Sequence, residues 1–233
     1  MQRRSYVVCL ALFTCQASTA AGVTYSSVRQ VIYHSTGDSY DNVVVLDDDP
    51  WDGLLVSDLD GVLFESTKQL DIAPSPLRPD SQDLRVAMTT RVEGVIPPVS
   101  ETWNPMTANL TLSERTDLRL ALGAEFNAML TVGHVSASLS VISLDDFLPV
   151  ASLHVRPRTG AIGSSSDRAS EVVRLPPGEY DVFITLEDWA MISIFADRPG
   201  LRFATAEASI TIIPTPGTIA AFLGLLAAPR CRR

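Results

Sequence analysis

Between Asp38 and Glu65 the chain carries nine acidic residues and no lysine or arginine. Clustered carboxylates on loops suit Ca²⁺, which takes roughly six to eight oxygen ligands. Asp47, Asp49, Asp52, Asp58 and Asp60 are the candidate ligands, although the spacing is not that of an EF-hand loop. The simpler meaning of such a run is a solvated acidic rim. Trp51 stands between Asp49 and Asp52. An aromatic ring flanked by carboxylates is a combination that can stack on a sugar face and bond its hydroxyls, which makes Trp51 a candidate ligand-binding residue. Trp103 and Trp189 are the other two tryptophans, and in a β-sandwich the large apolar ring is expected in the core. His34, His134 and His154 are far apart and have no metal-binding or triad spacing, so each is expected at a surface or sheet edge.

The stretch LLVSDLDGVLFES, Leu54 to Ser66, places Asp58 and Asp60 two residues apart after an apolar run, with Gly61 next. It resembles the nucleophile motif of haloacid-dehalogenase-like phosphatases. The resemblance implies Asp58 as nucleophile, Asp60 as acid/base, and Asp145 with Asp146 as an Mg²⁺-binding pair. It also implies strands alternating with helices around a parallel sheet and a distant lysine for the phosphate. Pro74, Pro76 and Pro79 stand where the first helix would run, and the single lysine, Lys68, is ten residues from Asp58. The alternative is a strand from Leu54 to Asp58 that leads into an Asp-Gly turn.

The elements that would hold these residues read as strands. In DLRLALGAEF, Leu118, Leu120 and Leu122 share a face, and in HVSASLSVISL, Val135, Ala137, Leu139 and Val141 face away from the serines. This period of two recurs through VRQVIYHS, NVVVLD, GLLVSD, LRVAMTTRV, FNAMLTVG, PVASLHVR, SEVVRL, EYDVFITLED, AMISIFA and EASITII. Gly and Pro pairs punctuate them, and no helical block interrupts. The pattern predicts an all-β fold, an antiparallel two-sheet sandwich or jelly roll. Long loops are expected from Ser66 to Pro105, where six prolines fall, and a turn or loop from Gly160 to Ser166. Leu175 to Phe195 reads as a late hairpin with a Pro-Gly turn.

Both ends point outward from the cytoplasm. Arg3 and Arg4, the apolar run from Tyr6 to Phe13 and the small residues up to Ala21 read as a secretory signal. At the other end, Pro214-Thr215-Pro216-Gly217 precedes an apolar run and the basic stop Arg230, Arg232 and Arg233. This tail resembles the PEP-CTERM type of bacterial sorting signal, with Thr215 in the place of the usual glutamate. The resemblance implies a short hydrophobic helix, transient membrane insertion, recognition by an exosortase-like processing enzyme, and association with extracellular polysaccharide.

The expected organisation is a signal peptide over 1–21, a β-sandwich body over 22–209 and a sorting or anchor segment over 210–233. Cys9, Cys15 and Cys231 all fall in the two ends, which leaves the body without disulfides or thiol chemistry. The body holds all 27 acidic residues but only 13 of the 18 basic ones, a charge balance that disfavours nucleic-acid binding. The leading expectation is an exported cell-surface or extracellular-matrix protein with a structural or adhesive role and no catalysis. The second is a carbohydrate-binding or Ca²⁺-dependent recognition module, and the third a phosphatase using Asp58 and Asp60. No cofactor besides the candidate Ca²⁺ is implied.

Overall fold

The computed structural model describes residues 22–36, 39–46, 52–94, 100–158, 162–193 and 200–213, and among these the regular structure is all strand. In chain order the strands are β1 (Val23–Ser35), β2 (Tyr40–Leu46), β3 (Asp52–Leu59), β4 (Val62–Ser75), β5 (Arg78–Gly94) and β6 (Ser100–Leu112). They continue as β7 (Thr116–Met129), β8 (Thr131–Ser143), β9 (Pro149–Val155), β10 (Ile162–Leu175), β11 (Gly178–Ser193) and β12 (Gly200–Ile213). All pair antiparallel in two six-stranded sheets. The front sheet runs β2-β1-β6-β11-β8-β9 and the back sheet β10-β7-β12-β5-β4-β3.

The order of the last eight strands has a simple origin. β8 pairs with β9, β7 with β10, β6 with β11 and β5 with β12, so each strand meets its mirror image about the β8–β9 turn. A single long antiparallel ribbon has rolled up into two sheets, which is the winding of a jelly roll. The first four strands extend it as two hairpins. β1–β2 continues the front sheet beyond β6, and β3–β4 continues the back sheet beyond β5.

Alternation aims one side of each strand inward. Leu118, Leu120, Leu122, Ala124 and Phe126 of β7 face Val135, Ala137, Leu139 and Val141 of β8 in the main core. One end of the interlayer is different, because buried polar side chains replace apolar ones there: Gln30, His34, Ser66, Lys68, Thr102, Asn104, Asp188 and Arg202. Arg202 Nε donates to Asp188 Oδ2 at 3.2 Å and its Nη1 to Ser100 Oγ at 3.0 Å, all of it buried. Burial pushes the Asp188 carboxyl up, and Arg202 opposes that shift. Lys68 Nζ crosses between the sheets to donate to Val31 O at 2.8 Å and Pro105 O at 2.9 Å.

Several expectations are corrected here. The proline-rich section from Ser66 to Pro105 is mostly strand, in β4, β5 and β6. Pro76 sits in the β4–β5 turn, Pro74 lies beside a register shift, and Pro105 faces Thr185 with no N–H to give the ladder. FNAMLTVG is two strands, broken at Leu130, whose φ is +62°. Ile162 to Ser166 opens β10. Leu175 to Phe195 does not begin with a hairpin, since β10 and β11 lie in different sheets and Pro176-Pro177 is a corner between them. Tyr180 Oη ties that corner down by donating to Pro176 O at 2.9 Å. β12 continues to Ile213, so the four residues 210–213, expected to open the tail, are strand.

Candidate functional site

The Asp58–Asp60 motif forms a hairpin end. β3 pairs antiparallel with β4 from Asp52↔Gln69 to Leu59↔Val62, and Asp60-Gly61 is the two-residue turn. Asp60 has φ +55° and Gly61 φ +78°, the pair of positive values that a type I′ hairpin turn requires. Asp-Gly is therefore there for turn geometry, as the strand-and-turn alternative expects. Asp60 Oδ2 accepts a hydrogen bond from Thr36 Oγ1 at 2.6 Å, and both Asp58 and Asp60 are exposed. The helix and parallel sheet that the phosphatase motif needs are absent among the described residues. Lys68 is locked between the sheets, and Asp145 with Asp146 lies in the β8–β9 turn.

Of the other expected site residues, Asp52 begins β3, while Asp47, Asp49 and Trp51 lie outside the described residues. The same is true of Pro214, Thr215, Pro216, Gly217, Arg230, Arg232 and Arg233. No group of three or more His, Cys, Asp or Glu positioned to hold a metal occurs among the described residues.

His34 departs from its expected place at a surface. It is fully buried, its Nδ1 is 2.6 Å from Ser57 Oγ and its Nε2 2.8 Å from Ser66 Oγ, and its ring stacks on Phe64 at 5.2 Å. Burial holds its imidazole down at about 4, only partly offset by Asp41.

Trp103, Trp189, Tyr33 and Tyr40 come together on the outer face of the front sheet. Tyr33 of β1 is the cross-strand partner of Trp103 of β6, which is the partner of Glu187 of β11, followed by Ser136 of β8. In the next row Ser35 meets Glu101, Glu101 meets Trp189, and Trp189 meets His134. Directly opposed side chains on one face lie about 5 Å apart. Trp103 and Trp189 thus alternate with Glu187 and Glu101 in a four-residue checkerboard. Tyr33 stacks on Tyr40 with centroids 6.1 Å apart, extending the aromatic strip on one side. His134, 5.2 Å from the Trp189 ring, bounds it on the other.

Trp103 is 41% exposed and Tyr40 68% exposed, so these rings are presented to solvent and the core placement expected for Trp103 is corrected. Two Glu side chains placed diagonally repel each other. Burial first, then Glu187, holds the Glu101 carboxyl above the usual carboxylate range. His134 Nε2 accepts from Arg156 Nη2 at 3.0 Å, and burial with Arg156 and Arg158 pushes its imidazole down. The face therefore offers flat apolar rings beside acceptor oxygens, an arrangement that suits a flat molecule with hydroxyls around its edge.

The chain matches no protein-family model. It matches no curated protein either. Solved structures with some likeness include the enzymatically active domain of tailspike protein 4 of bacteriophage CBA120, at TM-score 0.30 and 17% identity over 70% of this chain and 19% of that one. TmCBM61 in complex with β-1,4-galactotriose aligns at TM-score 0.22 and 12% identity, over 65% of this chain and 86% of that one. A structure of carbohydrate-binding modules from the β-sandwich superfamily aligns at TM-score 0.25 and 7% identity, over 84% of this chain and 87% of that one. This chain spans about a fifth of the tailspike domain and 23% of an α-L-arabinofuranosidase, MgGH51, that aligns at TM-score 0.23. Likenesses this distant leave function to be argued from the faces of the sandwich.

Proposed function

We propose that the sandwich is an exported glycan-binding module. It holds a neutral sugar chain against the outer face of the front sheet and anchors its carrier to extracellular polysaccharide. What supports this reading is the checkerboard of Trp103 and Trp189 with Glu187 and Glu101. The C–H face of a pyranose ring is apolar and slightly positive, and it complements the electron-rich face of an indole. The neighbouring carboxylates accept from the ring's hydroxyls, as charge-assisted hydrogen bonds stronger than neutral ones. The face is an open sheet surface, whereas a groove and a smaller hollow lie on the back sheet. Such a surface does not exclude water, so it suits binding rather than bond cleavage.

Export and sorting are the reading of the two ends, and both follow from the PEP-CTERM-like tail and the N-terminal signal pattern. A surface or matrix location gives a sugar-binding face its ligand. Intact mass of the native protein tests this directly. Loss of the residues before about Gly22, the cleavage expected of a signal peptide, and of the tail near Pro214 is the expected result. Recovery of the unprocessed chain from the cytoplasm would remove it.

For the site, affinity electrophoresis through soluble neutral polysaccharides, with tryptophan fluorescence as a second readout, is the experiment. Trp103→Ala is expected to weaken binding by about thirtyfold or more, the usual cost of truncating a central tryptophan anchor. Its thermal midpoint should stay near that of the wild type, because the ring is exposed. Binding that survives Trp103→Ala unchanged would rule out this face.

A further inference from the structure

A groove of about 1060 Å³ crosses the outer face of the back sheet, on the side of the molecule opposite the tryptophans. Its floor is built from residues that barely rise above the backbone: Ala121 and Gly123 of β7, Ala87 of β5 and Ser209 of β12. Long side chains stand around them. The pairing register places Arg168 of β10 beside Gly123, Arg85 of β5 beside Ser209, and Arg119 of β7 two residues along from Ala121. Arg168 lies over Gly123, where a Cβ would meet its Cγ at 3.4 Å, in ordinary van der Waals contact. A smaller hollow lined by Arg119, Ala121 and Ser170 continues it.

The groove is less acidic than the molecule as a whole, with Arg85 and Arg168 set against Asp71 and Glu207, and Arg119 of the adjoining hollow set against Glu171. The chain has a net charge of −9, so a local balance near zero, with two arginines in the groove and a third in the hollow that continues it, sets this face apart. Arg168 reaches Glu125 only at 3.7 Å. Among the described residues Arg85 and Arg119 form no ion pair, although Asp71 is the direct cross-strand partner of Arg85 and Glu207 lines the same groove. Guanidinium groups with no ion pair of their own, over a floor cleared of side chains, are free to take the carboxylates of a ligand, with Asp71 and Glu207 limiting its charge density. Planar guanidinium is the group best matched to carboxylate geometry.

We propose that this groove is a second glycan site, one for an acidic polysaccharide, with Arg85, Arg119 and Arg168 binding its uronate carboxylates. A sugar chain fits better than a peptide. β7, β12, β5 and β4 each have neighbours on both sides, so their N–H and C=O groups face sheet partners and none is offered to an added strand. The groove presents side-chain groups instead: guanidinium groups, the hydroxyls of Ser170, Ser209 and Thr211, and the amide of Gln69. No aromatic ring lines it for a nucleobase to stack on. This site stands on a different face from the tryptophans and does not depend on them.

Isothermal titration of the full chain with polygalacturonate and with alginate, at 0.15 M salt and with dextran as the neutral control, tests the assignment. At that ionic strength charges more than about 8 Å away are largely screened, so the local arginines decide the outcome rather than the acidic body. Arg85→Gln combined with Arg119→Gln is expected to weaken polyuronate binding at least about tenfold, the order expected for losing charge-assisted bonds. Raising the salt should weaken it further, while Trp103→Ala should leave it intact. Both arginines are exposed, so the variant should keep the wild-type circular dichroism and thermal midpoint. Failure of both polyuronates to bind overturns the proposal, as does binding that the double substitution leaves unchanged. Polyuronate binding lost in Trp103→Ala alone would also overturn it while leaving the front-sheet reading standing. Poly-glutamate that binds equally well with the same arginine dependence would assign the groove to acidic peptides and overturn the sugar assignment.

Discussion

Lys68→Met is expected to stabilise the protein at neutral pH and destabilise it in alkali. Lys68 is the only lysine in the chain, and it is fully buried between the sheets with no carboxylate paired to it among the described residues. Burial pushes its ammonium down from 10.5 to about 7. Between those two values the unfolded chain keeps the proton and the native one releases it, so folding expels a proton and stability rises with pH across the window. Integrated from about pH 7 to 10.5, that rise is worth at most about 5 kcal/mol.

Methionine has nearly the same length and flexibility and carries no charge. It removes the pH dependence together with two hydrogen bonds to Val31 O and Pro105 O, at about 1 kcal/mol each. The variant is then less stable than the wild type by about 2 kcal/mol near pH 10.5 and more stable by up to about 3 kcal/mol near pH 7. The two curves cross near pH 9, about one and a half pH units below the alkaline end at 1.36 kcal/mol per unit. Urea unfolding of both proteins at pH 7, 8, 9 and 10, with m-values required to agree, measures the difference directly. A difference between the two proteins that is constant across this range would refute the reasoning. So would a variant several kcal/mol less stable at pH 7, because either result would mean the ammonium is well solvated or well paired.

The acid limb belongs to His34. Its imidazole is held at about 4 in the fold against 6.5 when unfolded, so only the unfolded chain takes up a proton as the pH falls from 6.5 to 4, and stability declines across that range by about 3 kcal/mol. His34→Gln should lower stability overall and flatten the limb between pH 6.5 and 5, above the range of ordinary exposed carboxylates, as read by thermal melts in matched buffers. Gly61→Ala should cost about 1 kcal/mol in urea unfolding, since nothing lies within 4 Å of the added methyl and the cost is one of backbone conformation alone. Gly61→Asn should recover part of that loss, because asparagine tolerates positive φ better.

What the sequence made legible depended on which side chains face inward. β7 and β8 could be read because their inward positions run apolar through Leu118, Leu120, Val135 and Leu139. β4 and β6 were hidden because their inward positions include Ser66, Lys68, Ser100, Thr102 and Asn104. Period-two reasoning takes inward as apolar, and at this end of the sandwich inward is polar. The prolines completed the concealment, Pro74 beside a register shift and Pro105 within β6. The Asp-Gly turn was legible because its backbone demands are local. The tryptophan–glutamate checkerboard was not, since Glu101 and Trp103 become neighbours of Glu187 and Trp189 only through the β6–β11 register.

The polar interlayer and the aromatic face are two sides of one seam. Tyr33 and Tyr40 come from the added hairpin β1–β2, whereas Trp103 and Glu101 come from β6 of the jelly roll, so the strip exists only if the hairpin docks in register. A slip of one residue would exchange the two faces of β1, sending Tyr33 inward and His34 outward. An apolar interior resists such a slip through the burial it would lose, but it is tolerant of smaller shifts within the register, since one large ring fills space much as another does. A hydrogen-bonded one is not, because His34 meets Ser57 and Ser66 only when β1, β3 and β4 are all in place, and Lys68 then reaches Val31 O and Pro105 O where the β1–β6 ladder passes from Gln30↔Met106 to Tyr33↔Trp103. A slipped hairpin would leave those groups buried without partners, at about 1–3 kcal/mol each. The buried lysine and histidine lower stability as charges, yet as partners they hold Tyr33 beside Trp103, and the aromatic strip proposed to bind sugar rests on that alignment.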